Sequence, residues 1–346
     1  MRSIANPTAS ACSRRAFIAR AGGVALGMGA AACGGGAWAQ AGAGPLRILC
    51  TGPAGSIPDI VARRVAERWG DPEAREARAM REALVDNRPG AAGQIAVAAL
   101  RGAPADGSTM LLAQGAIATV YPYLYPRLAY DPAIDLAPVS LAGEMTLGLA
   151  AGPAVPASVG TLAELFEWMR RNPELANVGS PGAGTLPHLF EAMLFHQAGA
   201  PWQHVAYPGG PPAVVDLLGG RIAALALPEG LLRQHAGAGR LRVLVTSGAR
   251  RTAFLPEVAS IAEQGLPGLE MREWFAFFMP GRAAPERVES ASRALRVLLG
   301  RPDVVAAFAE SAMVAVASTP AELAARIAAE RRAWEPLVRA AAVRVE

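Results

Sequence analysis

From residue 46 onward, short apolar runs of strand character alternate with longer runs of helical period, which restricts the fold to the α/β class. Leu46 to Cys50 reads as the first strand, leading into the turn Thr51-Gly52-Pro53-Ala54-Gly55. Ser56 and Asp59 stand at capping-box spacing and start a helix at Ile57, to which Val61, Val65 and Trp69 give one apolar face. The stretch Asp71 to Arg81, dense in arginine and acids, reads as a solvated helical extension, and Asn87-Arg88-Pro89-Gly90 as a turn. Thr109 to Ala113 is a second buried strand, ending at Gln114-Gly115. Val139 to Ala151 is a long apolar run able to cross from one lobe to another. Thr161 and Glu164 form another capping box, opening a helix that stops at Asn172-Pro173. Asn177 to Ser180 is a short strand, His188 to His196 lies in a helix, and Leu241 to Thr246 is a strand. Thr319-Pro320-Ala321-Glu322 caps a last amphipathic helix through about Trp334, with proline at its favoured first position.

A chain of 346 residues with 52% apolar content can bury two cores. Its formal charge of +4 is concentrated at the start, because residues 1–40 hold Arg2, Arg14, Arg15 and Arg20 and no acid. Setting those four aside from 33 leaves 29 basic residues against 29 acidic ones, so the mature chain has no basic surplus with which to bind nucleic acid. All the basic residues are arginine, which removes Schiff-base chemistry and the Gly-Lys-Ser/Thr phosphate loop. Cys12 and Cys33 fall in the leader, so Cys50 is the one thiol of the mature chain and is expected as a buried strand residue.

The leader has the order charged, apolar, small. Arg14-Arg15-Ala16-Phe17 resembles a twin-arginine signal, a Gly/Ala-rich run extends from Ala21 to Ala32, and Ala37-Trp38-Ala39 supplies a cleavage site before Gln40. An ordinary secretory signal and a lipoprotein box acylated at Cys33 are the alternatives. The apolar run is too short to span a bilayer comfortably. Either signal reading makes residues 1–39 a signal peptide and places the mature protein in the periplasm.

Three glycine-rich loops each follow a strand or turn and precede a helix: residues 51–59, 179–188 and 207–212. Helix N-termini present unpaired N–H groups and partial positive charge, and glycine lets an anion approach the backbone. Three such ends meeting at one cleft could hold a carboxylate without a buried arginine. Catalysis finds little support. Val178 stands where a nucleophile elbow around Ser180 needs glycine, and His188 and His196 lack the glutamate of a metalloprotease helix. His204 and His235 have no obvious partner in sequence, and Asp59 and Asp216 are more simply explained by their helices. No catalytic residue, metal site or cofactor is expected.

The order of motifs resembles the periplasmic receptors of tripartite tricarboxylate transporters, the Bug family. The resemblance covers nearly all of residues 46–346 and is strongest at Tyr207-Pro208-Gly209-Gly210-Pro211-Pro212-Ala213 with Asp216-Leu217-Leu218-Gly219-Gly220. Asn87-Arg88-Pro89-Gly90-Ala91-Ala92-Gly93, Tyr130-Asp131-Pro132 and Leu255-Pro256-Glu257-Val258 add to it. It implies a type II periplasmic-binding fold of two α/β lobes with a ligand cleft between them. The lobes are expected at about 45–143 plus 270–346 and about 144–269. The implied first binding loop supplies Pro53, Ala54, Gly55, Ser56 and Asp59, with Gln114 beside it. Ser180, Gly184, Thr185 and His188 come from the opposing lobe, as do Tyr207, Gly209, Gly210, Pro211 and Asp216. The departures are Ser56-Ile57-Pro58 in place of consecutive glycines, Pro208 in place of a common lysine, and the charged segment Asp71 to Arg81, which resembles an insertion. The implied function is capture of a small organic acid for membrane permease subunits, by a monomer. A periplasmic sensor and, from another class, an α/β hydrolase are the alternatives.

Overall fold

The computed structural model describes residues 44–71, 82–266 and 268–340. The leader and most of the charged segment Asp71 to Arg81 lie outside the described residues. The chain begins with β1 (Leu46–Cys50), α1 (Ile57–Arg68), β2 (Ala83–Asn87), α2 (Gln94–Gly102) and β3 (Thr109–Gln114). Three short helices follow, α3 (Ala116–Thr119), α4 (Tyr121–Leu124) and α5 (Pro132–Asp135), then β4 (Leu136–Met145) and β5 (Leu147–Ala151). Next come α6 (Leu162–Arg171), β6 (Asn177–Ser180), α7 (Leu186–Ala198), β7 (Gln203–Ala206) and α8 (Gly210–Leu218). After β8 (Ala224–Pro228), α9 (Glu229–Ala236) and β9 (Arg242–Thr246), the chain returns as β10 (Glu273–Pro280). It ends with α10 (Pro285–Leu299), α11 (Pro302–Glu310), β11 (Val314–Ala315) and α12 (Pro320–Ala340).

Two sheets result, ordered β11-β4-β10-β3-β1-β2 and β7-β6-β8-β5-β9. In the first, β1 pairs parallel with β2 and β3, while β10 runs antiparallel between β3 and β4. In the second, β6 lies parallel to β7 and β8, and β5 runs antiparallel to β8 and β9. The run Val139 to Ala151 therefore serves both sheets, with Thr146 alone between β4 and β5. The β9–β10 connection makes the second crossing. This is a two-lobe periplasmic-binding-protein architecture.

The sequence of β10 explains its central place. Phe277 and Phe278 point to opposite faces and both are fully buried, so neither face meets water. Each such side chain stabilises the fold by about 1.5–3 kcal/mol. Helix α1 packs against the other end of the sheet through Val61, Val65 and Trp69, all buried as their spacing predicts. Cys50 is buried as well, and burial pushes its thiol up to about 12, which leaves it protonated and unreactive.

The capping boxes differ in their outcome. At α6, the Thr161 hydroxyl accepts from the Glu164 N–H and Glu164 accepts from the Thr161 N–H, and Thr319 with Glu322 repeats this at α12. Helix α12 continues beyond the expected Trp334 to Ala340. At α1 the helix starts at Ile57 as expected, but Ser56 makes no cap. Its hydroxyl donates to the Pro53 carbonyl at 2.6 Å, and Asp59 accepts from Gly55 N–H at 2.9 Å. The turn already ties Ser56 N–H to Pro53 O, and aspartate is a methylene shorter than the glutamate of a capping box.

Candidate functional site

The first and third glycine loops face each other across the space between the sheets, and the second closes a side. Together they wall a cavity of about 810 Å³, within the range of small-molecule sites. Of the expected residues, Pro53, Ser56, Gln114, Thr185, Tyr207, Gly209 and Gly210 line it. Ala54, Gly55, Asp59, Ser180, Gly184, His188, Pro211 and Asp216 are absent from its lining.

The polar residues among this second group hold the loops in shape. Asp59 is buried and accepts from Gly55 N–H, Arg63 Nε and Asn87 Nδ2 at 2.9–3.0 Å. Burial pushes its carboxyl upward, but the Arg63, Gly55 and Asn87 donors outweigh that and hold it below the usual range. Asp216 accepts from Tyr207 Oη at 2.9 Å and from Arg221 at 2.5 Å, tying the third loop to α8. Ser180 is fully buried, with Oγ 2.8 Å from His204 Nε2 and 3.1 Å from the Gly182 carbonyl that it meets across the loop. His204 thus has partners that sequence did not reveal, since its ring also stacks on His188 at 3.8 Å. The Gly184 N–H donates to His188 Nδ1 at 3.0 Å, which fixes the proton of the neutral ring on Nε2. Burial lowers His188 to about 3, helped by His204, and lowers His204 to about 4. Both rings are neutral near pH 7. The Ser180–His204 pair resembles a nucleophile and base, yet Ser180 is sealed away from the cavity.

Proline limits what the helix ends can donate. Pro58 and Pro187 sit second in α1 and α7, and Pro211-Pro212 take two of the first three positions of α8. Of the first three residues of each helix, N–H donors remain on Ile57 and Asp59, on Leu186 and His188, and on Gly210 alone. Sequence reasoning missed a fourth helix end. The loop Pro89 to Gln94 enters α2 and lines the cavity, and α2 has no proline. Gly90, Ala91, Ala92 and Gly93 all have positive φ, between 45° and 116°, a conformation that costs an alanine about 1–2 kcal/mol. Two hydrogen bonds hold it. The Ala92 carbonyl accepts from Gln114 Nε2 at 2.7 Å and from Tyr121 Oη at 2.8 Å. Gln114 Oε1 in turn accepts from Thr51 at 2.8 Å, so the expected ligand amide of Gln114 is committed to this loop.

The walls meet at both sides of the cavity. Tyr125 Oη donates to the Ala183 carbonyl at 2.9 Å. A Cβ on Gly209 would lie 2.6 Å from Pro53 Cγ, so the first and third loops are in contact. Arg127 stands exposed at the rim, and Glu273 and Phe275, from the start of β10, complete the interior. These residues lie about 50 to 220 positions from the glycine loops they join, and nothing local in sequence marked them. Among the described residues, no group of three or more His, Cys, Asp or Glu is placed to hold a metal ion, and no helix is long and apolar enough to cross a membrane.

Residues 70–343 match the family model of the tripartite tricarboxylate transporter family receptor. The chain is 30% identical over 296 residues to Protein BugT of Bordetella pertussis, covering 85% of this chain and 88% of that one. Among solved structures, the periplasmic binding protein BugD superposes with a TM-score of 0.80 at 23% identity, over 87% of this chain and 99% of its own. Rpa4515 of R. palustris, solved with adipate, gives a TM-score of 0.78 at 25% identity, over 86% and 97%. A two-lobe fold, a cavity walled by helix ends and a family match over most of the chain lead to one assignment: the chain belongs to the tripartite tricarboxylate transporter receptor family, among the Bug-type periplasmic solute-binding receptors.

Proposed function

We propose that the protein captures a small carboxylate between two lobes, about 45–143 plus 270–346 and about 144–269, and delivers it to membrane permease subunits. The observation that carries this reading is the cavity of about 810 Å³ bounded by the starts of α1, α2, α7 and α8. Backbone N–H groups at four helix ends favour a negative charge without any interior arginine. The adipate bound to Rpa4515 supports the same ligand class. Residues 1–39 act as a twin-arginine signal peptide, and the mature receptor begins at Gln40 in the periplasm as a monomer. It needs no cofactor and turns nothing over.

The test is a thermal-shift and calorimetric screen of the exported protein against mono-, di- and tricarboxylates and ω-amino acids. A ligand at 100 times its dissociation constant stabilises the native state by about 2.7 kcal/mol. For a protein of this size that is a rise in melting temperature of roughly 3–5 °C. If no carboxylate of any length raises the melting temperature, the reading fails.

A further inference from the structure

The cavity contains one buried carboxyl group with nothing to bind it. Glu273 opens β10 opposite Met145, lines the cavity, and is 5% exposed. Among the described residues, no hydrogen bond or ion pair engages its side chain. The other buried glutamates differ. Glu229 accepts from Thr252 at 2.8 Å and does not line the cavity, and Glu191 is sealed between α7 and β8. An unpaired polar group at a cavity wall costs free energy that a ligand can recover.

Among the described residues, no side chain of the wall donates to it. Each cavity hydroxyl has already given its hydrogen to the protein: Thr51 to Gln114 Oε1 at 2.8 Å, Ser56 to Pro53 O at 2.6 Å, Thr185 to Gly182 O at 2.7 Å, Tyr125 to Ala183 O at 2.9 Å and Tyr207 to Asp216 at 2.9 Å. Gln114 Nε2 is spent on Ala92 O and Tyr121 Oη. Arg127, the lining residue with a cationic side chain, is exposed at the rim and makes no ion pair with Glu273. A ligand can bring the donor that the side chains of the wall do not supply.

We propose that Glu273 is the specificity-determining residue of this cavity, and that the ligand carries an ammonium group which meets Glu273 while its carboxylate meets the helix ends. The proposal rests on the carboxylate reading above and narrows it to amino-carboxylates. A cation compensates the burial of the ionised carboxylate, whereas the second carboxylate of a diacid requires Glu273 to keep its proton and donate it, so the two ligands differ in proton release. Burial raises the Glu273 carboxyl to about 8, so without a cationic partner it is mostly protonated at pH 7. Glu273 in turn acts on Tyr121, which burial already holds neutral. A bound ammonium favours the ionised carboxylate, and the displaced proton leaves to solvent.

Calorimetry on the exported protein and on Glu273→Gln tests this with pairs matched in methylene count. The pairs are β-alanine and succinate, 4-aminobutanoate and glutarate, and 5-aminopentanoate and adipate. For at least one pair, the amino member should bind the wild type about 10- to 100-fold more tightly, the worth of a hydrogen bond to a charged group. Glu273→Gln, which keeps the side-chain shape, should abolish that preference. Enthalpies measured at pH 7 in buffers of different ionisation heat should reveal release of up to one proton per site in the wild type, a readout that does not depend on the variant folding. Tighter binding of the dicarboxylate in every pair, or an amino preference that survives in Glu273→Gln without proton release, overturns the proposal and leaves the carboxylate reading standing. Silence from every carboxylate overturns both.

Discussion

Gly209 is where backbone conformation and lobe contact coincide, and Gly209→Ala separates the two. Its φ of 110° belongs to glycine, so alanine there costs about 1–3 kcal/mol of strain. That strain is local to the third loop and is felt whether the lobes are open or closed. The second effect exists only when they are closed. The new Cβ would sit 2.6 Å from Pro53 Cγ and 2.8 Å from Pro53 Cδ, and a proline ring cannot swing aside. Overpacking of this kind costs about 1–3 kcal/mol. If the ligand is held by the closed form, affinity falls by that amount, about 5- to 150-fold.

Gly199→Ala is the matched control. It carries a φ of 56° at the end of α7, and an added Cβ meets nothing within 4 Å. It should lose stability through the backbone alone. Calorimetric titration of both variants with a carboxylate that stabilises the wild type, together with melting curves, gives the comparison. Both variants should melt lower, and only Gly209→Ala should bind more weakly. A Gly209→Ala protein that melts lower but binds with wild-type affinity would refute closure of the first loop on the third as part of ligand capture.

Two further outcomes follow from the same geometry, and a third from the sequence of the leader. His188 and His204 have depressed folded-state values, so their contribution to stability is fully present above about pH 6.5 and is lost as pH falls through about 4 and about 3. The melting temperature should drop as pH is lowered from 7 to 4, and NMR should find both imidazoles neutral at pH 5; a ring of this pair titrating near 6.5 contradicts the buried stack. Ala92→Gly should match or exceed wild-type stability, because relief of a φ of 52° offsets the added chain entropy, whereas Ala98→Gly on the exposed face of α2 should cost about 1 kcal/mol. Equal losses in the two variants, measured by denaturant titration, would remove the argument for strain at that loop. Arg14→Lys with Arg15→Lys should leave the protein in the cytoplasm, and mass spectrometry of the exported wild type should give an N-terminus at Gln40; periplasmic double mutant or acylated Cys33 would count against that leader.

The fold was largely legible because its signals are local. The strand at Asn177–Ser180, the start of α1 and the capping boxes at Thr161 and Thr319 all depend on residues within a few positions of one another. What stayed hidden needed distant partners. Val139 to Ala151 reads as one run because Met145, Thr146 and Leu147 are all buried and neither glycine nor proline marks the crossing. The strand Glu273–Pro280 shows no alternation, since the sheet covers it on both faces. Ala91 and Ala92 look like ordinary helix formers, and their left-handed conformation comes from Tyr121 and Gln114, brought in by α4 and β3.

The site divides along a similar line, and the division bears on how such a receptor changes its ligand. Glycine marked the loops, but it did not reveal that proline at the starts of α1, α7 and α8 removes donors from three of the four helix ends. What remains is a sparse set of N–H groups in a cavity whose hydroxyls all donate elsewhere. On the carboxylate reading proposed above, such a wall binds the carboxylate and discriminates weakly beyond it, because the donors at the helix ends belong to the backbone and move only with their loops. Discrimination then falls to side chains that enter from other elements without holding a loop in place. Asp59, Asp216, Gln114 and Tyr121 are all bound into the loops, so altering them deforms the wall itself. Glu273 holds no loop. It can therefore be exchanged with little cost to the fold, and a change there alters which ligand fits while the carboxylate end of the cavity keeps its shape.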